Sequence, residues 1–160
     1  MAERRNWGKV VTYLAGASLV LLIAQYFLGL WSNVYAPAQF LSFYQGVDAG
    51  ANYPPALFVH ITVADVLFIL SIVALVFAAL ARQLRLIIPA LVLVVSIYVA
   101  GEFGMAFVNS TPNDPIDSFG MGTMFLVALF ATMGILALSR SRRTPSAPSA
   151  APAATQTQPS

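Results

Sequence analysis

Between Phe58 and Phe68 the chain reads FVHITVADVLF, which sets its single histidine, His60, and Asp65 within an otherwise lipid-soluble run. Imidazole and carboxylate groups ligate metals and haem iron and carry protons, and in apolar surroundings they are costly enough to be functional candidates by default. Three further polar residues occupy similar runs: Gln25 upstream, Tyr98 and Glu102 downstream. At about 100° per residue, His60, Ala64, Leu67 and Ser71 share one helical stripe, while Asp65 lies about 140° round from His60. The two address different neighbours, and a His–Asp dyad within one helix is not expected. Further on, Ser96, Ala100 and Gly104 form a small-residue ridge suited to close helix packing. Nearly opposite stand Tyr98, Glu102 and Met105, with the phenol one turn from the carboxylate.

No Lys or Arg falls within these apolar runs. Asp65 and Glu102 are therefore left with three states: protonated acids held by hydrogen bonds, a pair with His60, or ligands of a cation. His60 has three readings of its own: a hydrogen-bonded packing residue, an axial haem ligand, or a metal ligand. A haem in a four-helix bundle commonly takes two ligands from facing helices. With one histidine, the second would be Met105, Met121 or Met124, or His60 of a second subunit. One His and two carboxylates on different faces make a poor tetrahedral zinc set. Cysteine is absent, which excludes disulfide chemistry, iron–sulfur clusters and CxxCH haem attachment. No Gly-rich phosphate loop, nucleophile elbow or HExxH motif is present, so no residue is assigned a catalytic role and an enzyme is not the expected reading.

The elements that must carry these groups are membrane helices. Of 160 residues, 59% are hydrophobic and 9% charged, a balance soluble domains of this size rarely approach. Four runs reach the ~20 residues that span a bilayer core: about 10–31, 56–81, 86–108 and 119–138. The expected fold is all-α, an antiparallel four-helix transmembrane bundle. All eight basic residues fall on one side of these spans: Arg4, Arg5, Lys9, Arg82, Arg85, Arg140, Arg142 and Arg143. By the positive-inside rule both termini are cytoplasmic, in the plasma membrane. The net charge of +2 is then a topology signal and not a sign of nucleic-acid binding.

Spans two and three, joined by a short basic connection, should form a hairpin, with Pro89 in the first turn of the third span, where a missing donor costs little. The aromatic-rich loop after Trp31 is expected to lie on the membrane surface, with a short helix from Pro37 to Gln45. The segment from Asn109 to Ser118 reads as a tight acidic turn, and the tail from Ser139, rich in Pro, Ser and Ala, as disordered.

Four elements carry a family likeness: FLGLWSNVY at the end of the first span, the histidine opening the second, Gly-Glu-Phe-Gly closing the third and Phe-Gly-Met-Gly opening the fourth. Together they resemble a group of small four-helix membrane proteins of archaea and actinobacteria. The arrangement is also similar to one four-helix half of the haem A synthase fold and, loosely, to cytochrome b561-type bundles. The haem A synthase likeness implies a haem near the outer surface with His60 as an axial ligand. Such halves pair their histidines, whereas Met121 and Met124 stand here where a partner would be.

The sequence thus points to an accessory subunit of a respiratory or haem- or quinone-linked membrane system, embedded in the bilayer as a homo-oligomer or within a larger complex. Gln25, His60, Tyr98 and Glu102 would form a polar cluster in its outer half, with Asp65 deeper. Two alternatives remain: a structural or assembly partner that binds another membrane protein through the Ser96, Ala100, Gly104 ridge, and a proton- or cation-coupled small transporter using Asp65 and Glu102.

Overall fold

The computed structural model describes residues 7–35, 55–109 and 115–140. They form four helices: α1 (Trp7–Tyr35), α2 (Pro55–Leu80), α3 (Leu84–Asn109) and α4 (Pro115–Arg140). Each is long and apolar enough to cross a membrane. The chain is a four-span integral membrane protein, its helices packed antiparallel. At 1.5 Å per residue a 26-residue helix is about 39 Å long, more than the ~30 Å hydrocarbon core needs, so each helix tilts or projects beyond it. Every helix packs on its neighbours in sequence, and α4 closes the ring on α1.

Helix ends follow local chemistry. Pro55 and Pro115 occupy first helical positions, where the missing N–H would have had no partner anyway. In α4, Asp117 in the first turn and Arg140 in the last both complement the helix dipole. Residues 115–118, expected in the acidic turn, are thus the first turn of α4, because proline and an acidic residue are as much helix starters as turn formers.

Between α2 and α3 the chain reverses tightly. Ala81 and Arg82 donate back to Phe77 and Ala79 (both 2.9 Å), Arg82 adopts a left-handed φ of 51°, and the Gln83 carbonyl accepts the first bonds of α3. Helix α3 therefore starts at Leu84, and Pro89 falls in its second turn instead of the first. Trp7 stacks on Phe77 at 5.1 Å and Gly8 lies beside Gln83, so α1 begins next to this turn. Lys9, Arg82, Arg85 and Arg140 consequently gather at one end of the bundle, the basic end. The surface helix expected from Pro37 and the tail from about Ser139 onward lie outside the described residues, apart from Ser139 and Arg140, which are helical.

The buried seam of α1 runs Val11, Ala15, Ser18, Leu22, Gln25, Gly29, Ser32, alternating steps of four and three. That is a heptad spacing, which keeps one face on its neighbours along the whole span. In α2, Leu57, His60, Ala64, Leu67, Ser71, Ala74 and Ala78 repeat it. Lipid tails are as apolar as leucine, so packing and not water exclusion joins the helices, and small residues let them approach. Ser18, Ser71, Ser96 and Thr132, one from each helix, are all buried. Three of them return their hydroxyls to their own helix, Ser71 to Phe68, Ser96 to Val92 and Thr132 to Ala128, at 2.6–2.8 Å.

The ridge that permits close helix packing is used inside the bundle: Ser96 is buried and Gly104 faces α4. A Cβ built on Gly104 would lie 3.7 Å from the sulfur of Met121 in α4, and the Phe103 ring covers Gly120. Contact between α3 and α4 is the most extensive in the molecule, because small residues on one helix receive large ones from the other.

A Cβ at Gly120 would lie 2.6 Å from the Phe103 ring, whereas one at Gly16 meets nothing within 4 Å. Gly120→Ala should therefore destabilise the bundle by about 1–3 kcal/mol. Gly16→Ala should stay within about 0.5 kcal/mol of wild type. Reversible unfolding in mixed detergent micelles measures both, and equal effects would contradict this packing.

Candidate functional site

The bundle sorts the polar residues of the spans into two sets. Gln25 and His60, on the facing seams of α1 and α2, meet inside: the Gln25 amide donates to His60 Nε2 at 3.2 Å, which places the ring proton on Nδ1. Gly29, one turn beyond Gln25, makes room for the ring; a Cβ there would stand 3.3 Å from Cε1 and 3.8 Å from Nδ1. The pair is only half satisfied. Gln25 Oε1 and His60 Nδ1 are buried with no hydrogen-bond partner among the described residues, as are the hydroxyls of Ser18 and Ser32 on the same seam of α1.

Tyr98, Glu102 and Asp65 face the other way. Tyr98 is 55% exposed, and Glu102 and Asp65 are exposed too, on the surface that lipid or a neighbouring protein would cover. The Tyr98 hydroxyl hydrogen-bonds the Glu102 carboxylate one turn on. Its ring also contacts Phe68 of α2, with centroids 6.2 Å apart. The expected single cluster of Gln25, His60, Tyr98 and Glu102 is therefore two sites. The reason is rotational: Tyr98 and Glu102 lie opposite the ridge that α4 claims, so α3 can bury one face or the other but not both.

In the arrangement seen, His60 Nε2 is held by Gln25, and Gly29 of α1 faces the ring edge at Cε1. Of the methionines, Met121 packs its sulfur against Gly104, Met105 is 58% exposed on the outer face of α3, and Met124 is half-buried in α4. Among the described residues no three His, Cys, Asp or Glu side chains are grouped to hold a metal ion. The chemistry this geometry does supply is hydrogen bonding within α1–α2 and an acidic, phenolic surface on α2–α3.

Gly29 and Ser32 are the site residues that sequence reasoning missed. The signal was the heptad step from Gln25 to Gly29 to Ser32, which places all three on one face.

Compared with protein-family models, curated proteins and solved structures, the chain matches none.

Because each partner leaves one polar atom unpaired, removing one alone should cost more than removing both. His60→Leu is expected to destabilise the bundle by about 1–2 kcal/mol by stranding the Gln25 amide, and adding Gln25→Leu should recover most of that loss. A double variant less stable than either single one, in the same unfolding assay, would mean the pair is a net stabiliser.

Proposed function

We propose that this protein is a non-catalytic membrane subunit that works by lateral assembly, presenting the outer face of α2 and α3 to another membrane protein, with the basic end of the bundle in the cytoplasm. The observation that carries this reading is the exposure of Asp65, Tyr98 and Glu102 on helices that span a bilayer. From the far helix ends, Glu102 is seven residues in from Asn109 and Asp65 ten from Pro55, roughly 10 and 15 Å along the helix axis. At such depths an ionisable side chain turned to lipid is expensive, while one turned to protein finds hydrogen-bond partners.

Of the roles the sequence leaves open, lateral assembly is the one this geometry supports. Transport through the bundle would need carriers lining a path between the helices, and the two acids stand on its outside. The Gln25–His60 pair belongs to the helix packing that holds this surface in shape.

A photoreactive residue at Met105, beside Glu102, tests the reading in native membranes, with the same probe at Tyr13 as control. Tyr13 is 76% exposed on α1 near the basic end. The Met105 probe is expected to yield a discrete protein adduct and the Tyr13 probe mainly lipid. Lipid adducts alone at Met105 would end the assembly reading.

A further inference from the structure

The hydrogen bond that joins α1 to α2 can be undone by a proton. His60 Nε2 accepts the Gln25 amide at 3.2 Å with a ring lone pair, and a protonated ring has none to offer. Turning the amide over would present Oε1 to Nε2, but the other ring nitrogen gains nothing by it. Nδ1 is buried without a hydrogen-bond partner among the described residues and lies against Gly29, where a built Cβ would stand 3.8 Å away. A neutral ring also leaves one nitrogen bare. What the proton adds is a charge, and a charge enclosed with a single neutral acceptor costs far more than an unmade hydrogen bond.

No charged side chain is placed to answer it. Gln25 is the one hydrogen-bond partner of the ring among the described residues. On α1, Lys9 and Tyr13 lie near the basic end, and Tyr26 is exposed and turned to Phe125 of α4. On α2 itself, Asp65 is exposed and about 140° round from the histidine. The other neighbour of α2, helix α3, carries Arg85 at the basic end, with Tyr98 and Glu102 bonded to each other on its outer face. Helix α4 packs on α1 and α3 and brings Asp117 in its first turn and Arg140 in its last.

Water is within reach of the ring. His60 is five residues in from Pro55, about 7.5 Å along the axis from the end of α2 that lies opposite the basic end, and its side chain is half-buried. Toward the basic end, Val11, Ala15 and Leu22 of α1 share one buried cluster with Leu67 and Ala78 of α2, and none of these titrates.

We infer that the outer half of the α1–α2 contact is a proton-sensitive joint, closed while His60 is neutral and parted when the ring takes a second proton and turns toward water. The apolar cluster holds the two helices together below it, so the parting is confined to the turns around Gln25, Gly29 and His60. The joint works whatever covers the outer face of α2 and α3.

Because the chain has no cysteine, spin labels can be placed by Leu30→Cys and Val59→Cys, at exposed positions one residue from Gly29 and His60. Their separation is measured by dipolar spectroscopy on the full-length protein in phosphatidylcholine vesicles. A single short distance is expected at about pH 8, and a second, longer one should grow toward about pH 5, the range in which a histidine changes charge. In His60→Leu/Gln25→Leu the short distance should persist throughout. Gln25→Glu, which sets a carboxylate against the ring, should also keep it short, because the charged ring is then paired where it stands. In the unfolding assay the closed joint binds one proton fewer than the unfolded chain. The folded-to-unfolded ratio of the wild type should therefore fall against that of the double variant, by up to about tenfold per pH unit, as pH is lowered. Asp65, Glu102 and Asp117 titrate in every chain, so the comparison isolates the histidine. A wild-type distance that does not change with pH, or one that lengthens equally in the double variant, would overturn the inference.

Discussion

Inside a bilayer a polar group cannot fall back on water, and the rest of this structure follows from that one constraint. Backbone groups are satisfied within each helix, so the described chain in the spans is helical throughout. Side-chain hydroxyls obey the same rule at smaller scale: Thr12, Thr62, Ser71, Ser96, Thr123, Thr132 and Ser139 each donate to a carbonyl three or four residues back. Such bonds cost little and let a polar residue sit at a helix contact as if it were alanine. Amide, imidazole and carboxylate groups are too long or too polar for that solution. They have to find a partner on another helix, and their placement is where this bundle departs from a simple packing of apolar rods.

Two kinds of polar residue have been placed by two different balances. Gln25 and His60 are neutral in the arrangement seen, so enclosing them costs unmade hydrogen bonds and no charge. Such a cost is about 1–3 kcal/mol for each group left bare, which four well-packed helices tolerate. A carboxylate enclosed without a cation would cost far more. Every Lys and Arg of the described spans stands at the basic end, so among the described residues the interior offers Asp65 and Glu102 no Lys or Arg partner. Outward placement is the remaining solution, and it transfers the requirement to whatever lies beside the protein.

Much of the architecture is legible in the sequence. Apolar run length gave four helices with ends off by a few residues, and the short Arg82–Arg85 connection gave the hairpin. The stripe of His60, Ala64, Leu67 and Ser71 does face inward, and Asp65 does point away from His60. What periodicity did not reveal is which side of α3 is the inside. Leu84, Ile88, Leu91, Val95, Tyr98, Glu102 and Met105 are as regularly spaced as the buried seam, since removing one heptad stripe leaves another. In water, hydropathy would separate the two faces; in lipid both are apolar, and the distinction passes to side-chain size. Ser96, Ala100 and Gly104 mark the close-packing surface by their size, with Tyr98 and Glu102 nearly opposite. Where large residues meet small ones, Met121 of α4 on Gly104 and Phe103 of α3 on Gly120, the match is a steric fit between two helices, which no single segment records.

Helix α2 carries both kinds of polar residue, His60 toward α1 and Asp65 on the outer surface, and so its rotation about its own axis governs the whole arrangement. Turning it by one residue, about 100°, would swing His60 off Gln25 and bring Asp65 toward the interior. What opposes the turn is the run of small buried residues Ser71, Ala74 and Ala78, against which neighbouring helices pack. Bulky neighbours such as Ile69, Ile72 and Val76, now exposed on the outside of the bundle, cannot enter that space without forcing the bundle apart. The charged surface is thus fixed in orientation by residues that carry no charge. It is the small side chains of α2, more than any polar contact, that decide that the acids look outward.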